Sequence, residues 1–404
     1  MASTAAPPRP APVRRRTPTA GGASPAANGR LAELADALSR CERIGYDEAW
    51  SMPKAYYTDP AVLALERAHL FAKEWICIGR AEEVASPGDF MTFQLCDEPL
   101  IAVRGKDRTI RVLSNVCRHR GTVLIEGRGN RQRLACPYHH WSYDLDGRLV
   151  GAPHMEGHRS FDRSSCRLPL FPTEEWHGFL FVSLAADPAP LAPRLQPLER
   201  LIGNYHMEEM RLRHLADEVW PVNWKCMIEN FMEGYHLSPL HRTTLHKVNP
   251  TRLSRHFAPG DAYFGYNAGY SPDLPRPQKG HPDLTDAEAG NCVMFAVPPG
   301  LVSGCGGDYS SFLCVQPETV DRVRVKMGLI FYGEDWPQDA VEAAVALFND
   351  TMAEDKEALI RVMRGLGSSR HQAGPLAPAD YEGSVLDFYR YCGRRLGAAL
   401  AAAD

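Results

Sequence analysis

Apolar and polar positions change rhythm twice along this chain. Leucines and alanines recur at three- and four-residue intervals over Leu31–Cys41, which predicts a helix there. Asp59-Pro60 reads as the start of a second helix, with Asp as N-cap and Pro at the first helical position. Leu63, Leu65, Ala68 and Phe71 continue it. From Trp75 to Val150 the pattern turns into short runs of β character: Phe90–Phe93, Leu100–Val103 and Ile110–Leu113. Pro87-Gly88-Asp89 and Gly105-Lys106-Asp107 bound them as turns. A further run, Phe179–Leu184, closes this half. The pattern predicts N-terminal helices over 31–70 and a small antiparallel β domain over 71–186.

Past the proline-rich stretch 188–197 the texture becomes mixed. Helices are expected at 222–237 and 338–364, with strand-like runs at Tyr263–Tyr270, Val293–Val297, Ser311–Gln316 and Val323–Phe331. Residues 187–404 therefore read as an α+β domain, a sheet packed with helices. The segment 271–290 carries six prolines or glycines and predicts a mobile loop.

Composition narrows the function classes. The chain has 404 residues, of which 44% are hydrophobic and 23% charged, an ordinary globular mix. The formal net charge of −4 lacks the basic footprint that sequence-independent nucleic-acid binding needs. No run approaches the roughly 18 apolar residues of a membrane span. Residues 1–30 are rich in Ala, Pro and Arg and read as a disordered tail. Arg14-Arg15-Arg16 is followed by no apolar region, which argues against a secretory or twin-arginine signal; a transit peptide is the alternative. The 11 cysteines include no C-x-x-C pair, which fits a reducing cytoplasm. Cys77, Cys96, Cys166 and Cys314 sit among apolar residues and read as small buried hydrophobes.

Cys117 and Cys136 are different. Residues 117–121 read Cys-Arg-His-Arg-Gly, and residues 136–141 read Cys-Pro-Tyr-His-His-Trp. Each loop offers one thiolate and one imidazole, Cys117 with His119 and Cys136 with His139. A Rieske [2Fe–2S] centre takes this set, two Cys on one iron and two His on the other. Gly121 frees the backbone of the first loop, Pro137 stiffens the second, and Trp141 is expected to cover the site. His140 is expected to point away. A Cys2His2 zinc site could use the same atoms, although the usual zinc spacing is different.

The two loops resemble the Rieske domain of Rieske non-haem iron oxygenases. That resemblance implies a second motif, and residues 223–241 carry it: Asn-Trp-Lys-Cys-Met-Ile-Glu-Asn-Phe-Met-Glu-Gly-Tyr-His-Leu-Ser-Pro-Leu-His. His236 and His241, with Pro239 between them, can turn to one face. Two His and one carboxylate leave positions open on Fe(II) for substrate and dioxygen. By similarity to the family pattern the carboxylate is Asp355, in Glu354-Asp355-Lys356-Glu357, with Asp350 as the runner-up. A charged residue on a long helix otherwise reads as a solvated face.

The resemblance further implies a helix-grip-like catalytic domain with a curved antiparallel sheet. It implies Asn230 near the iron and Glu233 as a bridge from His139 of one subunit to His236 of the next. Asn223, Trp224 and Lys225 read as structural. Most ring-hydroxylating members have Asp at the bridge. Glu is similar to members that oxidise carnitine, choline or glycine betaine, for which Phe231, Tyr263, Phe264, Tyr266 and Tyr270 are candidate walls of an aromatic cage. The implied assembly is a head-to-tail homotrimer or dimer of trimers. The implied partners are dioxygen, a small-molecule substrate and a reductase that passes on NAD(P)H electrons, since the chain has no G-x-G-x-x-G fingerprint. Three activities compete: mono-oxygenation, cis-dihydroxylation of an aromatic ring, and electron transfer without catalysis.

Overall fold

The computed structural model describes residues 25–402 apart from 275, 276 and 278. The expected tail lies outside that range as far as residue 24. Its last residues are helical, in a helix that begins at Pro25 and runs to Cys41. The buried stripe Leu31, Leu34, Leu38 and Cys41 explains the early start. Amides at the head of that stripe need carbonyls four residues earlier as acceptors. This helix packs against the C-terminal helix Ala379–Ala402. Asp59 caps the helix Pro60–Glu66 as expected, accepting from the Ala61 amide at 2.9 Å.

The first half builds three small antiparallel sheets. One has five strands, in the order Arg128–Asn130, Asp89–Leu95, Glu98–Arg104, Ile110–Ser114 and Leu170–Phe171. A second joins Leu134–Ala135, Ser142–Tyr143 and Leu149–Gly151. The third joins Ile76–Arg80, Phe179–Val182 and Thr173–Trp176. Ile101, Leu113, Leu134, Tyr143 and Leu168 form a core that also takes in Cys117, Cys136 and Trp141.

The second half is built on one seven-stranded antiparallel sheet. Its order is Met210–Trp220, Arg322–Tyr332, Tyr309–Thr319, Leu301–Cys305, Asn291–Val297, Phe264–Gly269 and Ser254–His256. The helix Gln338–Leu366 packs against this sheet and against the short helix Trp224–Phe231. Phe348, Thr351, Met352, Asp355 and Leu359 form its buried stripe at helical spacing. An aspartate in the middle of such a stripe is the first structural sign of a site.

Two expectations need correction. The helix predicted over 222–237 ends at Phe231, and residues 232–241 are turns. Close packing supplies the reason. The Gly234 amide bonds to Tyr381 O at 2.8 Å, and a Cβ on Gly234 would stand 2.1 Å from Ser254 Oγ. The segment 271–290 is not loop throughout, since Asp286–Ala289 is one helical turn closed by a Thr285–Glu288 capping box. Cys77 and Cys314 are buried, whereas Cys96 and Cys166 are only partly so.

Candidate metal centres

The two Cys/His loops share one backbone plan. In the first, the Cys117 amide donates to Thr122 O at 2.8 Å and the Gly121 amide to Cys117 O at 3.0 Å. In the second, the Cys136 amide donates to Trp141 O at 2.7 Å and the His140 amide to Cys136 O at 3.1 Å. The closing residue of each loop is left-handed, Gly121 at φ +73° and His140 at φ +57°. A glycine takes that conformation freely and a histidine does not. His140 therefore occupies the closing position, and its ring is exposed.

These loops bring the four predicted ligands together. The rings of His119 and His139 lie 4.7 Å apart, and His119 stacks on Trp141 at 4.8 Å. Both thiols are buried beneath the imidazoles, of which His119 is exposed and His139 half-buried. Burial works against ionising Cys136, but the Tyr138 and His139 amides and the neighbouring Cys117 outweigh it and hold the thiol below its ordinary value. Desolvation, then His119 and Arg120, push His139 down and favour the neutral ring. Thiolate and neutral imidazole are the forms that bind metal. Tyr143 is a site residue that the motif did not reveal. Its hydroxyl accepts from the Arg118 amide at 3.0 Å, which leaves its proton for Cys117 Sγ at 3.4 Å. Hydrogen bonds to cluster sulfurs are a lever on reduction potential.

The second set converges from two distant parts of the chain. His241 Nε2 lies 3.2 Å from Asp355 Oδ1, and His236 Nε2 lies 3.6 Å from the same oxygen. Asp355 and His241 are buried, whereas the runner-up Asp350 is exposed. Each imidazole has a carboxylate behind it. Glu233 bonds to His236 Nδ1, and Glu354 Oε2 lies 2.7 Å from His241 Nδ1. An ionised carboxylate only accepts, so in the neutral form of each ring the proton sits on Nδ1 and Nε2 presents a lone pair. His241 Nε2 is buried without a hydrogen-bond partner. Such an atom is costly unless something positive meets it. The donor set of two nitrogens and one oxygen fits a ferrous ion. Burial disfavours charging His236, but Glu233 and Asp355 outweigh it and lift the ring to about 9, which marks the site as one that attracts cations.

Asn230 donates to Asp355 Oδ1 at 3.0 Å. Glu354 also takes the Thr244 hydroxyl at 2.6 Å, so its orientation is fixed from two sides. Within one chain Glu233 bonds to His236 and to the Tyr235 amide, its own side of the expected bridge. Asn223 caps the helix Trp224–Phe231, accepting from the Lys225 amide at 2.9 Å. Trp224 donates to the buried Glu66 at 2.8 Å, and Lys225 forms an ion pair with that carboxylate.

A cavity of about 130 Å³ opens onto His236, His241 and Asp355. Phe231, Tyr266, Tyr270 and Tyr309 contribute its aromatic wall. Tyr263 and Phe264, expected in that wall, are packed in the two cores instead, Phe264 against Phe388 at 5.7 Å between ring centres.

Comparison with known proteins decides the family. Residues 74–168 match the Rieske [2Fe-2S] domain, and residues 203–398 match the catalytic domain of the ring-hydroxylating alpha subunit. The chain is a Rieske oxygenase alpha subunit. Its enzymes use a [2Fe–2S] cluster and a non-haem ferrous iron. The carnitine monooxygenase oxygenase subunit of Acinetobacter baumannii is 29% identical over 80% of this chain and 86% of its own length. The glycine betaine monooxygenase oxygenase subunit of Chromohalobacter salexigens is 38% identical over 49% of this chain and 44% of its own length. The fold matches a quaternary ammonium Rieske monooxygenase solved with L-carnitine, with a TM-score of 0.74 at 24% identity, over 88% of this chain and 97% of that one. It also matches naphthalene 1,2-dioxygenase from Rhodococcus, with a TM-score of 0.77 at 20% identity, over 92% and 99%.

Proposed function

We propose that this subunit hydroxylates a carbon attached to the nitrogen of a small quaternary ammonium compound, and that the product then collapses with C–N cleavage. Cys117, His119, Cys136 and His139 hold the cluster, and His236, His241 and Asp355 hold the iron. When bound, the two groups supply one-electron storage and dioxygen activation. Glu233 and Glu354 fix the imidazole tautomers, and Asn230 steadies Asp355. Phe231, Tyr266, Tyr270 and Tyr309 offer π faces to the cation. The observation that carries the reading is the opening of the His236/His241/Asp355 set onto that aromatic wall.

The active assembly is a cytoplasmic head-to-tail homotrimer, or a dimer of trimers, fed by a separate reductase. His139 of the partner subunit meets Glu233, so each electron crosses an interface. The exposed His119 and half-buried His139 suit such a docking tip. Among the described residues no helix is long and apolar enough to cross a membrane.

A second reading, cis-dihydroxylation of an aromatic ring, draws support from the aliphatic remainder of the cavity, including Leu313, Leu329, Leu347 and Met352. Substrate-dependent NADH consumption with a generic reductase separates the two, with betaines and choline set against aromatic acids. Labelled dioxygen then counts the atoms transferred. One labelled atom from a quaternary ammonium substrate supports the proposal. Two labelled atoms in an aromatic diol replace it with the second reading. The third activity, a bare electron carrier, predicts cluster iron alone, and the His236/His241/Asp355 set speaks against it.

A further inference from the structure

Glu229 precedes Asn230 on the helix that leads into the iron-binding turns, yet nothing in the chemistry above uses it. Its Oε2 accepts the Tyr57 hydroxyl at 3.0 Å, and Tyr57 in turn meets the Tyr389 hydroxyl at 3.1 Å. Its Oε1 is shut off from solvent and has no hydrogen-bond partner among the described residues. Lys225, a cation that acts on it, is taken by Glu66. An ionised carboxylate in this position would be a buried charge with lone pairs unmet, and protonation removes the charge. Glu229 also lines a second cavity, of about 280 Å³, shared with Asn230, Glu233, His371 and Glu382. That volume has room for several waters.

We propose that Glu229 is a proton store for the oxygenase: it is held as the neutral acid and faces a cavity that reaches Glu233. Both mono-oxygenation and dihydroxylation take up one proton for each electron supplied. When electrons cross at Glu233, the Glu229 carboxyl O–H bond breaks, its electron pair stays on the carboxylate, and the proton passes through cavity water, past Asn230, to the oxygen reduced at the iron site, where it ends in product hydroxyl or water. Bulk solvent restores the proton through the same cavity. Burial is the main force on this carboxyl and lifts it to about 8, while Tyr57, Lys225 and Tyr389 pull the other way and Glu382 adds to the lift. Cys226 and Glu233 are the other titratable groups beside it on its own segment.

Infrared spectroscopy of the holoenzyme tests the protonation state directly. The wild type is expected to show a protonated-carboxyl band that titrates away near pH 8 and is missing in Glu229→Gln. Tyr57→Phe removes a donor to the carboxylate, so the midpoint should move up. In single turnover, Glu229→Gln with both metals in place should slow reoxidation of the reduced cluster about tenfold or more and flatten its pH profile. A band that Glu229→Gln leaves in place, or an unchanged rate and profile in that variant, overturns the proposal. Should Glu229→Gln fail to fold, an unshifted midpoint in Tyr57→Phe overturns it. The infrared arm needs no substrate, so a wrong substrate class cannot masquerade as failure of the proton store.

Discussion

Each iron-site imidazole divides its work between two nitrogens, one turned to a carboxylate and one to the metal. For His241 the carboxylate is Glu354, and the orphaned Nε2 is what remains for iron. Glu354→Ala is therefore expected to lower iron affinity about 10- to 100-fold, because the ring loses its tautomer lock. Metal titration of the iron-depleted protein checks this, and unchanged affinity removes Glu354 from the site. His236→Ala is expected to lose the mononuclear iron altogether and keep the cluster spectrum; full iron retention strikes His236 from the ligand set. The candidate Cys and His ligands were legible in the sequence because each lies in a short motif with fixed spacing, whereas Asp355 was chosen only by its likeness to a family pattern. Glu354 and Tyr143 were not legible. Their partners lie 113 and 26 residues away, and only the folded chain brings them together. His140 was expected to point away from the site; its ring is exposed, and its left-handed backbone shows only when the two loops are compared.

At the scale of elements, the helix Trp224–Phe231 carries the strongest internal tension. Lys225 is 1% exposed and Glu66 fully buried, and they neutralise each other beneath the iron-binding turns. Burial pushes the Glu66 carboxyl above its ordinary value, and Lys225 with Trp224 restrains that rise. Removing one partner strands a buried charge, so Glu66→Ala is expected to cost about 3–5 kcal/mol in urea unfolding. Glu66→Ala with Lys225→Met should recover much of that loss, since no unpaired charge is left. A double variant no more stable than Glu66→Ala would show that packing, not charge, sets the cost. Sequence periodicity located this helix but overran its end by several residues. Met232-Glu233-Gly234 continues a plausible helical pattern, but the Gly234 amide is drawn out of it to Tyr381 O, with Ser254 packed close beside it. The long helix Gln338–Leu366 was easier to read, because its stripe from Phe348 to Leu366 spans several turns.

At the scale of the whole molecule, function depends on where an electron must travel. The cluster loops expose their histidine tip, while Glu233 lies behind His236, 12% exposed and hydrogen-bonded on that side. A carboxylate with Oε1 on the His236 ring, Oε2 on the Tyr235 and His236 amides and solvent within reach is placed to accept from a second imidazole outside its own chain. Glu233→Ala should therefore keep both metals yet leave the reduced cluster unable to oxidise when substrate and dioxygen are added. Normal single turnover in that variant removes the bridge. The proposed head-to-tail ring makes a sharper prediction, because in it the two centres that cooperate would belong to different chains. Co-expression of His119→Ala subunits, which lack a working cluster, with His236→Ala subunits, which lack iron, should restore part of the activity that neither variant shows alone. Each mixed interface that sets an intact cluster against an intact iron site is competent. Electron transfer confined within one chain predicts no recovery at any mixing ratio, since no chain then holds both centres.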